Sequence, residues 1–213
     1  MLQVQTFTVN FIEVNCYVIS DETNEAIIVD CGAYAEEEKT AISNYISQNG
    51  LKICHLLCTH GHFDHIFGNQ FICDTYSIYP KLHMDEADTY NHAERQMQMF
   101  LHKSFPLQIP PVEHYLQDGD CISFGNHSLR VISTPGHTPG GVCYYIESEN
   151  LLLSGDSLFQ GSIGRCDLPG GNEASLINNL SNKILTLPGN TKVLPGHGPS
   201  TTIDEEIRTN PFF

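Results

Sequence analysis

The amino-acid sequence predicts an α/β fold in which helices cover mixed β-sheets. Two observations support this: short apolar strands occur in runs, and amphipathic helices lie between and after the runs. Strands grouped in this way are typical of a layered α/β architecture. A chain of 213 residues is long enough for one domain with a substantial core. We therefore expect a single domain over residues 1–213.

The first third of the chain is predicted to form strands and one helix. Segments rich in Val, Ile, Tyr and Phe, separated by polar turns, predict strands over Gln3–Val9, Asn15–Ile19 and Ala26–Val29. Ala35–Gln48 has acidic residues in its first turn, apolar residues at 41, 42, 45 and 46, and Asn49-Gly50 after it. This pattern predicts an amphipathic helix that stops at a glycine. The apolar segment Ile53–Cys58 predicts a buried strand.

The rest of the chain is also predicted to contain both helices and strands. Met84–Lys103 is helix-like, carries three of the four Met residues and precedes a Pro-rich turn over Pro106–Pro111. Asn172 is the candidate N-cap of a later helix, and Ile203–Thr209 predicts a short one. That later helix has one apolar stripe, formed by Leu176, Leu180, Ile184 and Leu187. Further strands are predicted over Cys121–Phe124, Ser128–Ser133, Val142–Ile146, Leu151–Leu153 and Thr191–Leu194.

The charge balance excludes one class of partner. The chain has ten Lys and Arg residues and 25 Asp and Glu residues, which gives a formal net charge of −15. Binding to phosphate backbones needs a basic surface, so we expect no nucleic-acid partner. No apolar run reaches the ~20 residues of a bilayer span, and no signal peptide is visible. We expect a cytoplasmic protein without a membrane partner; the oligomeric state stays open.

Four potential metal ligands lie within one short segment. His60, His62, Asp64 and His65 follow directly after the predicted strand that ends at Cys58. In extended backbone, side chains two residues apart point the same way, so His60 and His62 can bind one ion together. Asp64 and His65 stand where a helix is expected to begin and can face a second point nearby. Imidazole nitrogens and carboxylate oxygens are ligands of Zn²⁺ and similar metals.

Three further candidates occur in matching surroundings. His137 lies in Thr-Pro-Gly-His-Thr, Asp156 in Ser-Gly-Asp and His197 in Leu-Pro-Gly-His-Gly, each within a few residues of a predicted strand end. Side chains that leave the ends of strands can converge at one edge of a sheet, where α/β proteins usually place their sites. The sequence therefore predicts a metal site built by all seven residues.

In this order, the motifs resemble the metallo-β-lactamase superfamily over nearly the whole chain. The sequence is similar in particular to short, single-domain hydrolases of the glyoxalase II (hydroxyacylglutathione hydrolase) type. The segments that carry this likeness are 155–159, 164–171, 193–199 and 210–212. The resemblance implies a four-layer αββα sandwich with two mixed β-sheets. It also implies an enzyme with two divalent metal ions, zinc by preference and otherwise iron or manganese.

The resemblance divides the seven candidates between the two ions. It implies that His60, His62 and His137 hold one ion. It implies that Asp64, His65 and His197 hold the other, and that Asp156 bridges the two. The reaction implied is hydrolysis of a small-molecule thioester such as S-lactoylglutathione. In this implied reaction the two ions would supply a hydroxide to attack the carbonyl, and Asp64 would orient it.

Substrate recognition is predicted from fewer residues. Arg165 falls where the family often places a basic residue, so it is the candidate contact for a substrate carboxylate. The resemblance implies an aromatic contact at the position of Asp167, and we expect no counterpart of the added C-terminal helical region of the longer enzymes. Met84–Lys103 is a candidate lid, although ordinary packing on the core is the preferred explanation.

Three alternatives stay open at the level of sequence. A persulfide dioxygenase-like enzyme of the same superfamily would use one Fe(II) on two His and one carboxylate, here His60, His137 and Asp156. A non-catalytic metal-binding protein would need neither a bridging carboxylate nor an open position. β-Lactam hydrolysis is disfavoured because lactamases with two zinc ions commonly have Cys in place of Asp156 and lack a counterpart of His65.

Overall fold

The structure, a computed structural model, describes residues 1–102 and 107–213. Its strands are β1 Gln3–Val9, β2 Val14–Ser20, β3 Glu25–Val29, β4 Lys52–Leu57, β5 Pro80–His83, β6 His114–Leu116, β7 Cys121–Phe124, β8 His127–Ser133, β9 Val142–Ile146, β10 Leu151–Gly155, β11 Leu158–Phe159, β12 Ser162–Ile163, β13 Lys192–Pro195 and β14 Thr201–Thr202. Its α-helices are α1 Glu36–Gln48, α2 Phe63–Ile66, α3 Asn69–Tyr76, α4 Ala87–Asn91, α5 Ala93–Leu101, α6 Glu173–Asn179 and α7 Ile203–Thr209. Among the described residues, no helix is long and apolar enough to cross a membrane.

Twelve of these strands form two mixed sheets. The first has the order β1-β2-β3-β4-β5-β6, antiparallel up to β3 and parallel from β3 onward. The second has the order β14-β13-β10-β9-β8-β7, in which only β10 and β13 run parallel. The mixed sheets predicted from the sequence are thus confirmed.

The two sheets pack face to face because their strands are apolar on both sides. In β2, Tyr17 and Ile19 belong to the core between the sheets, whereas Cys16 and Val18 belong to the core on the outer face. This alternation follows from the two-residue period of a strand. The second sheet contributes side chains such as Tyr144 to the shared core.

Helices cover both outer faces. Ile42 and Ile46 of α1 and Ile72 of α3 pack on the first sheet. Leu176 of α6 packs on the second sheet, together with the π-helical turn Leu180–Ile184 that follows it. The layers are therefore helix, sheet, sheet, helix, as the predicted αββα sandwich requires.

The two best helix predictions are confirmed with small changes. Helix α1 begins at Glu36 with Ala35 as its N-cap, and Gly50 follows it with a φ of +60°. Asn172 caps α6, where its side chain accepts a 3.0 Å hydrogen bond from the Ser175 amide.

The prediction of one continuous helix over Met84–Lys103 is wrong. The described part consists of a 3₁₀ turn over Met84–Glu86, helix α4 and helix α5, which His92 separates with φ −107° and ψ 22°. The first turn also packs inward, because the side chain of Glu86 is buried against two loops instead of facing solvent. Lys103, and Pro106 in the predicted Pro-rich turn, lie outside the described residues.

Candidate metal centre

The seven predicted side chains converge at one edge of the sandwich. His60 lies in the loop after β4, and α2 carries Asp64 and His65. The other strand ends that reach this edge belong to β8, β10 and β13, followed by His137, Asp156 and His197. The start of β2 joins the edge as well, since the Asn15 amide donates a 2.7 Å hydrogen bond to the Gly196 carbonyl.

Three histidines form the first group. The Nδ1 atom of His62 lies 3.0 Å from Nε2 of His137. The ring of His60 is 4.8 Å from the His62 ring and 4.9 Å from the His137 ring, centre to centre. One nitrogen from each of the three rings lies within 4.8 Å of the other two. This is a spacing at which one ion can contact all three nitrogens.

The second group consists of Asp64, His65 and His197. The Nε2 atoms of His65 and His197 are 3.3 Å apart. Oδ2 of Asp64 lies 3.4 Å from Nε2 of His197 and 3.7 Å from Nε2 of His65. Two nitrogens and one carboxylate oxygen therefore face a common point.

Asp156 contacts both groups. Its Oδ2 atom is 3.6 Å from Nε2 of His137, in the first group, and 3.6 Å from Nε2 of His197, in the second. Its Oδ1 atom is 3.4 Å from Nε2 of His65. One carboxylate thus reaches both points, as a bridging ligand must.

Hydrogen bonds on the far side of the rings orient the lone pairs. Nδ1 of His137 donates to the Arg165 carbonyl at 2.7 Å, and Nδ1 of His197 donates to the Ile12 carbonyl at 3.1 Å. A carbonyl oxygen only accepts, so the proton is on Nδ1 and the lone pair is on Nε2. Partners of this kind fix the tautomer of metal-binding histidines.

Asp30 orients two more rings, those of His65 and His60, and was not among the residues predicted from the sequence. Its Oδ2 atom is 3.1 Å from Nδ1 of His65 and accepts a 2.7 Å hydrogen bond from the Thr59 hydroxyl. That hydroxyl lies 3.0 Å from Nδ1 of His60. Oδ1 of Asp30 accepts from the Thr59 amide at 2.7 Å. Because three donors occupy its carboxylate, we interpret Asp30 as an orienting residue, although it lies close enough to His60 and His65 to be grouped with them.

A signal for Asp30 was present in the sequence. It follows the apolar strand Ala26–Val29 directly, much as Asp156 follows Leu151–Leu153. It also has a φ of +52°, a conformation that Asp tolerates better than most residues.

The buried polar atoms test whether metal ions fit this arrangement. Nε2 of His60 and Oδ1 of Asp156 are buried and have no hydrogen-bond partner among the described residues. Leaving such atoms without a partner costs about 1–3 kcal/mol each, so a ligand is expected to satisfy them. Both atoms lie at the convergence points, and their chemistry is that of metal ligands. The site therefore fits two divalent ions.

The pKa values of the site residues are also consistent with metal binding. Burial lowers the pKa of His62 to about 3, so its imidazole is neutral and available as a ligand. Burial would raise the pKa of Asp156, but nearby His65 outweighs it, and the pKa lies well below its ordinary value. Burial would lower the pKa of His65, but Asp156 and Asp64 outweigh it and raise the pKa. The site thus keeps its carboxylates charged and holds a proton where a cation would bind.

A cleft of about 690 Å³ opens beside these residues. One wall comes from α4 and α5, and the other comes from the segment between β11 and α6. Apolar side chains line it, among them Phe63 of α2, Met99 and Phe100 of α5, Phe159 of β11 and Leu168. An apolar cleft with polar groups at one end is typical of a small-molecule site.

Arg165, the candidate substrate contact, lines this cleft. Its Nε and Nη2 atoms donate to the two carboxylate oxygens of Asp167 at 2.7 and 2.8 Å. The guanidinium carbon is 5.8 Å from the centre of the Phe100 ring. Asp167 therefore holds Arg165 in place but uses only two of its five N–H donors.

The helices of the candidate lid are anchored to the site. Tyr90, Ala93 and Met97 are buried in a core cluster with Phe63. Gln96 accepts a 3.2 Å hydrogen bond from the Phe63 amide and donates one of 2.6 Å to the Thr89 carbonyl. These contacts favour ordinary packing for α5, with Met99 on its cleft side.

Comparison with known proteins identifies the family. The model of the metallo-β-lactamase superfamily matches residues 9–197, most of the chain. The chain belongs to the metallo-β-lactamase superfamily. Among curated relatives of this superfamily, it is 38% identical to a probable metallo-hydrolase, YqgX, of Bacillus subtilis, with 94% of this chain and 92% of the relative covered. It is 29% identical to a hydroxyacylglutathione hydrolase, GloC, of Haemophilus influenzae, covering 99% and 98%.

Solved structures agree with this assignment. The structure of the B3 metallo-β-lactamase BLEG-1 matches with a TM-score of 0.90 and 37% identity, covering 99% of each chain. The structure of TTHA1623 in a di-iron-bound form matches with a TM-score of 0.86 and 33% identity, covering 99% of this chain and 100% of the other. The family resemblance predicted from the motifs is confirmed.

Proposed function

We propose that this member of the superfamily is a dinuclear metallohydrolase that cleaves a small-molecule thioester. The contact of Asp156 with both ligand groups carries the proposal, because a bridging carboxylate serves a pair of ions. Two bound divalent ions would supply a hydroxide near neutral pH and polarise the carbonyl of the substrate. Zinc is the proposed metal, with iron or manganese as alternatives for the same His and carboxylate ligands.

The residues around the site would hold the ligands and the attacking hydroxide in the orientation that the reaction needs. Fixed tautomers keep the lone pairs of His65, His137 and His197 directed inward, so the site needs little reorganisation. Asp64 is a proposed ligand whose carboxylate also faces the cleft, where it can orient the attacking hydroxide. No separate general base is required in this scheme.

The cleft supports a substrate with an apolar portion and an anionic group. Its walls carry aromatic and aliphatic side chains, and Arg95 and Arg165 also line it. Arg165 is paired with Asp167 but has three N–H donors left for an anionic group of a substrate. A thioester that carries a carboxylate, as S-lactoylglutathione does, combines both features.

Metal removal tests the proposed function. We expect the protein as isolated to contain about two ions per chain and to hydrolyse S-lactoylglutathione. Dialysis against a chelator should abolish hydrolysis, and Zn²⁺, Fe²⁺ or Mn²⁺ should restore it. Hydrolysis that survives complete metal removal would contradict the proposal.

The same preparations distinguish the alternatives. Oxygen uptake with glutathione persulfide at one Fe per chain would favour the dioxygenase-like reaction on His60, His137 and Asp156. A β-lactam belongs in the panel as well, since BLEG-1 is a lactamase of similar fold. Tight binding of two ions without turnover of any thioester would indicate a metal-binding protein.

Arg165→Ala tests the substrate contact. We expect KM for a thioester with a free carboxylate to rise about tenfold while kcat changes little, because a hydrogen bond to a charged group contributes about 1.5–3 kcal/mol. A neutral thioester should show no difference. Arg208→Ala is a matched control, since Arg208 forms its ion pair with Glu205 in α7. An unchanged KM would remove Arg165 from the substrate site.

A further inference from the structure

Glu86 is a buried acid whose place in the fold the proposed reaction does not explain. It lies in the 3₁₀ turn Met84–Glu86 and has no exposed surface. No Lys, Arg or His pairs with it among the described residues. A charged carboxylate without a cation is rarely buried unless hydrogen bonds hold it, so its contacts need an explanation.

Two backbone amides hold the carboxylate, one on each oxygen. The Gly61 amide donates to Oε2 at 2.8 Å, and the Gly140 amide donates to Oε1 at 2.6 Å. Gly61 stands between His60 and His62, and Gly140 follows His137 by three residues. The two oxygens of Glu86 therefore join the two loops that carry the first group of histidines.

Both glycines allow this approach. A Cβ atom on Gly61 would lie 2.7 Å from the Tyr90 amide nitrogen, and one on Gly140 would lie 2.7 Å from the backbone nitrogen of Glu86. Contacts this short exclude any larger residue without movement of the backbone. The loops and the 84–91 segment are thus packed so that the carboxylate can reach both amides.

We propose that Glu86 is a positioning residue that holds His60, His62 and His137 at the separation needed for one metal ion. The proposal rests on the ligand role proposed above for these three histidines. The loop after β8 transmits the constraint, because it is closed by two backbone hydrogen bonds: the Gly136 amide donates a 2.9 Å hydrogen bond to the Thr138 carbonyl, and the Thr134 amide donates one of 2.8 Å to the Gly141 carbonyl. Fixing Gly140 therefore fixes His137 as well. Glu86 makes no such contact with Asp64, His65 or His197, so its effect is specific to one ion.

Glu206 provides a matched comparison within the same chain. It is also completely buried, and it accepts hydrogen bonds from the Gly161 amide at 2.8 Å, the Thr201 hydroxyl at 2.6 Å and the Asn210 amide group at 2.8 Å. None of these donors is next to a proposed ligand. A Glu→Gln change at either position loses a buried hydrogen bond, but only Glu86 adjoins the ligand loops.

The experiment measures Zn²⁺ affinity of each ligand group by competition with a chromophoric chelator. The His197→Ala variant disrupts the second group and keeps the first group of three histidines complete. The His137→Ala variant disrupts the first group and keeps the second complete. In the His197→Ala background, Glu86→Gln is expected to lower Zn²⁺ affinity by about 10–100-fold, the usual effect of losing a partner behind the ligands. In the His137→Ala background it should change nothing. Glu206→Gln should leave Zn²⁺ affinity unchanged in both.

A second measurement does not depend on metal. In the metal-free protein, the Gly61 and Gly140 amides should exchange slowly with solvent, and Glu86→Asp, which is too short to reach both, should make one of them exchange fast. Unchanged Zn²⁺ affinity in Glu86→Gln, equal losses in both backgrounds, or fast exchange of both amides in the wild type would each overturn the proposal. Neither Zn²⁺ affinity nor amide exchange depends on hydrolysis, so this test remains decisive even if the protein is not a thioesterase.

Discussion

Asp156→Asn is expected to remove nearly all activity and at least one of two bound ions. The amide nitrogen has no lone pair for a metal, and the substitution removes the charge placed between His137 and His197. Metal ions stabilise the developing charge by several kcal/mol, and losing about 4 kcal/mol lowers kcat by about 10³-fold. Metal analysis and kcat for the best thioester of the panel would measure both effects.

Asp120→Asn is the control for this change. Asp120 accepts a 2.9 Å hydrogen bond from the Gln117 amide in an exposed turn and has no contact with the ligand groups. It should keep two ions and full activity. If Asp156→Asn also keeps two ions per chain, then the two groups are filled independently, and the bridging role of Asp156 is wrong.

Much of the fold and all seven proposed ligands could be predicted because their signals are local. Runs of mostly apolar residues define β2 and β3, and each proposed ligand follows a strand end or lies within the dense motif of His60, His62, Asp64 and His65. Local periodicity and strand ends are what a single sequence displays most directly.

The residues that were missed depend on partners far away in sequence. Asp30 accepts from Thr59 and His65, which are 29 and 35 residues downstream. Glu86 accepts from Gly140, 54 residues downstream, and looks in the sequence like an acid on an exposed helix. Strands β5 and β6 were missed for a related reason: at four and three residues they show little periodicity, and their pairing in the sheet defines them. Tertiary contacts of this kind override local pattern.

Asp30→Asn is expected to weaken Zn²⁺ binding by about 10–100-fold, although Asp30 is not a proposed ligand. An amide has one accepting and one donating end, whereas all partners of Asp30 are donors. If its nitrogen faces His65, it opposes the Nδ1 proton and favours the tautomer with the proton on Nε2, which cannot bind metal. If its nitrogen faces the Thr59 amide instead, two donors meet there. Either orientation disturbs the loop of His60 or the ring of His65.

Asp21→Asn separates this tautomer effect from a general loss of stability. Asp21 is a buried carboxylate that lies 3.2 Å from Nδ1 of His127 and accepts from the Asn126 amide at 2.6 Å, so it forms an Asp–His pair away from the ligands. Both variants should lower the free energy of unfolding, but only Asp30→Asn should change Zn²⁺ affinity and the ¹⁵N shifts of the His65 ring. Equal Zn²⁺ affinities in the two variants would show that Asp30 supports the fold without selecting a tautomer. If Zn²⁺ affinity falls only in Asp30→Asn, then hydrogen bonds to the ligand side chains contribute to metal affinity along with the ligands themselves.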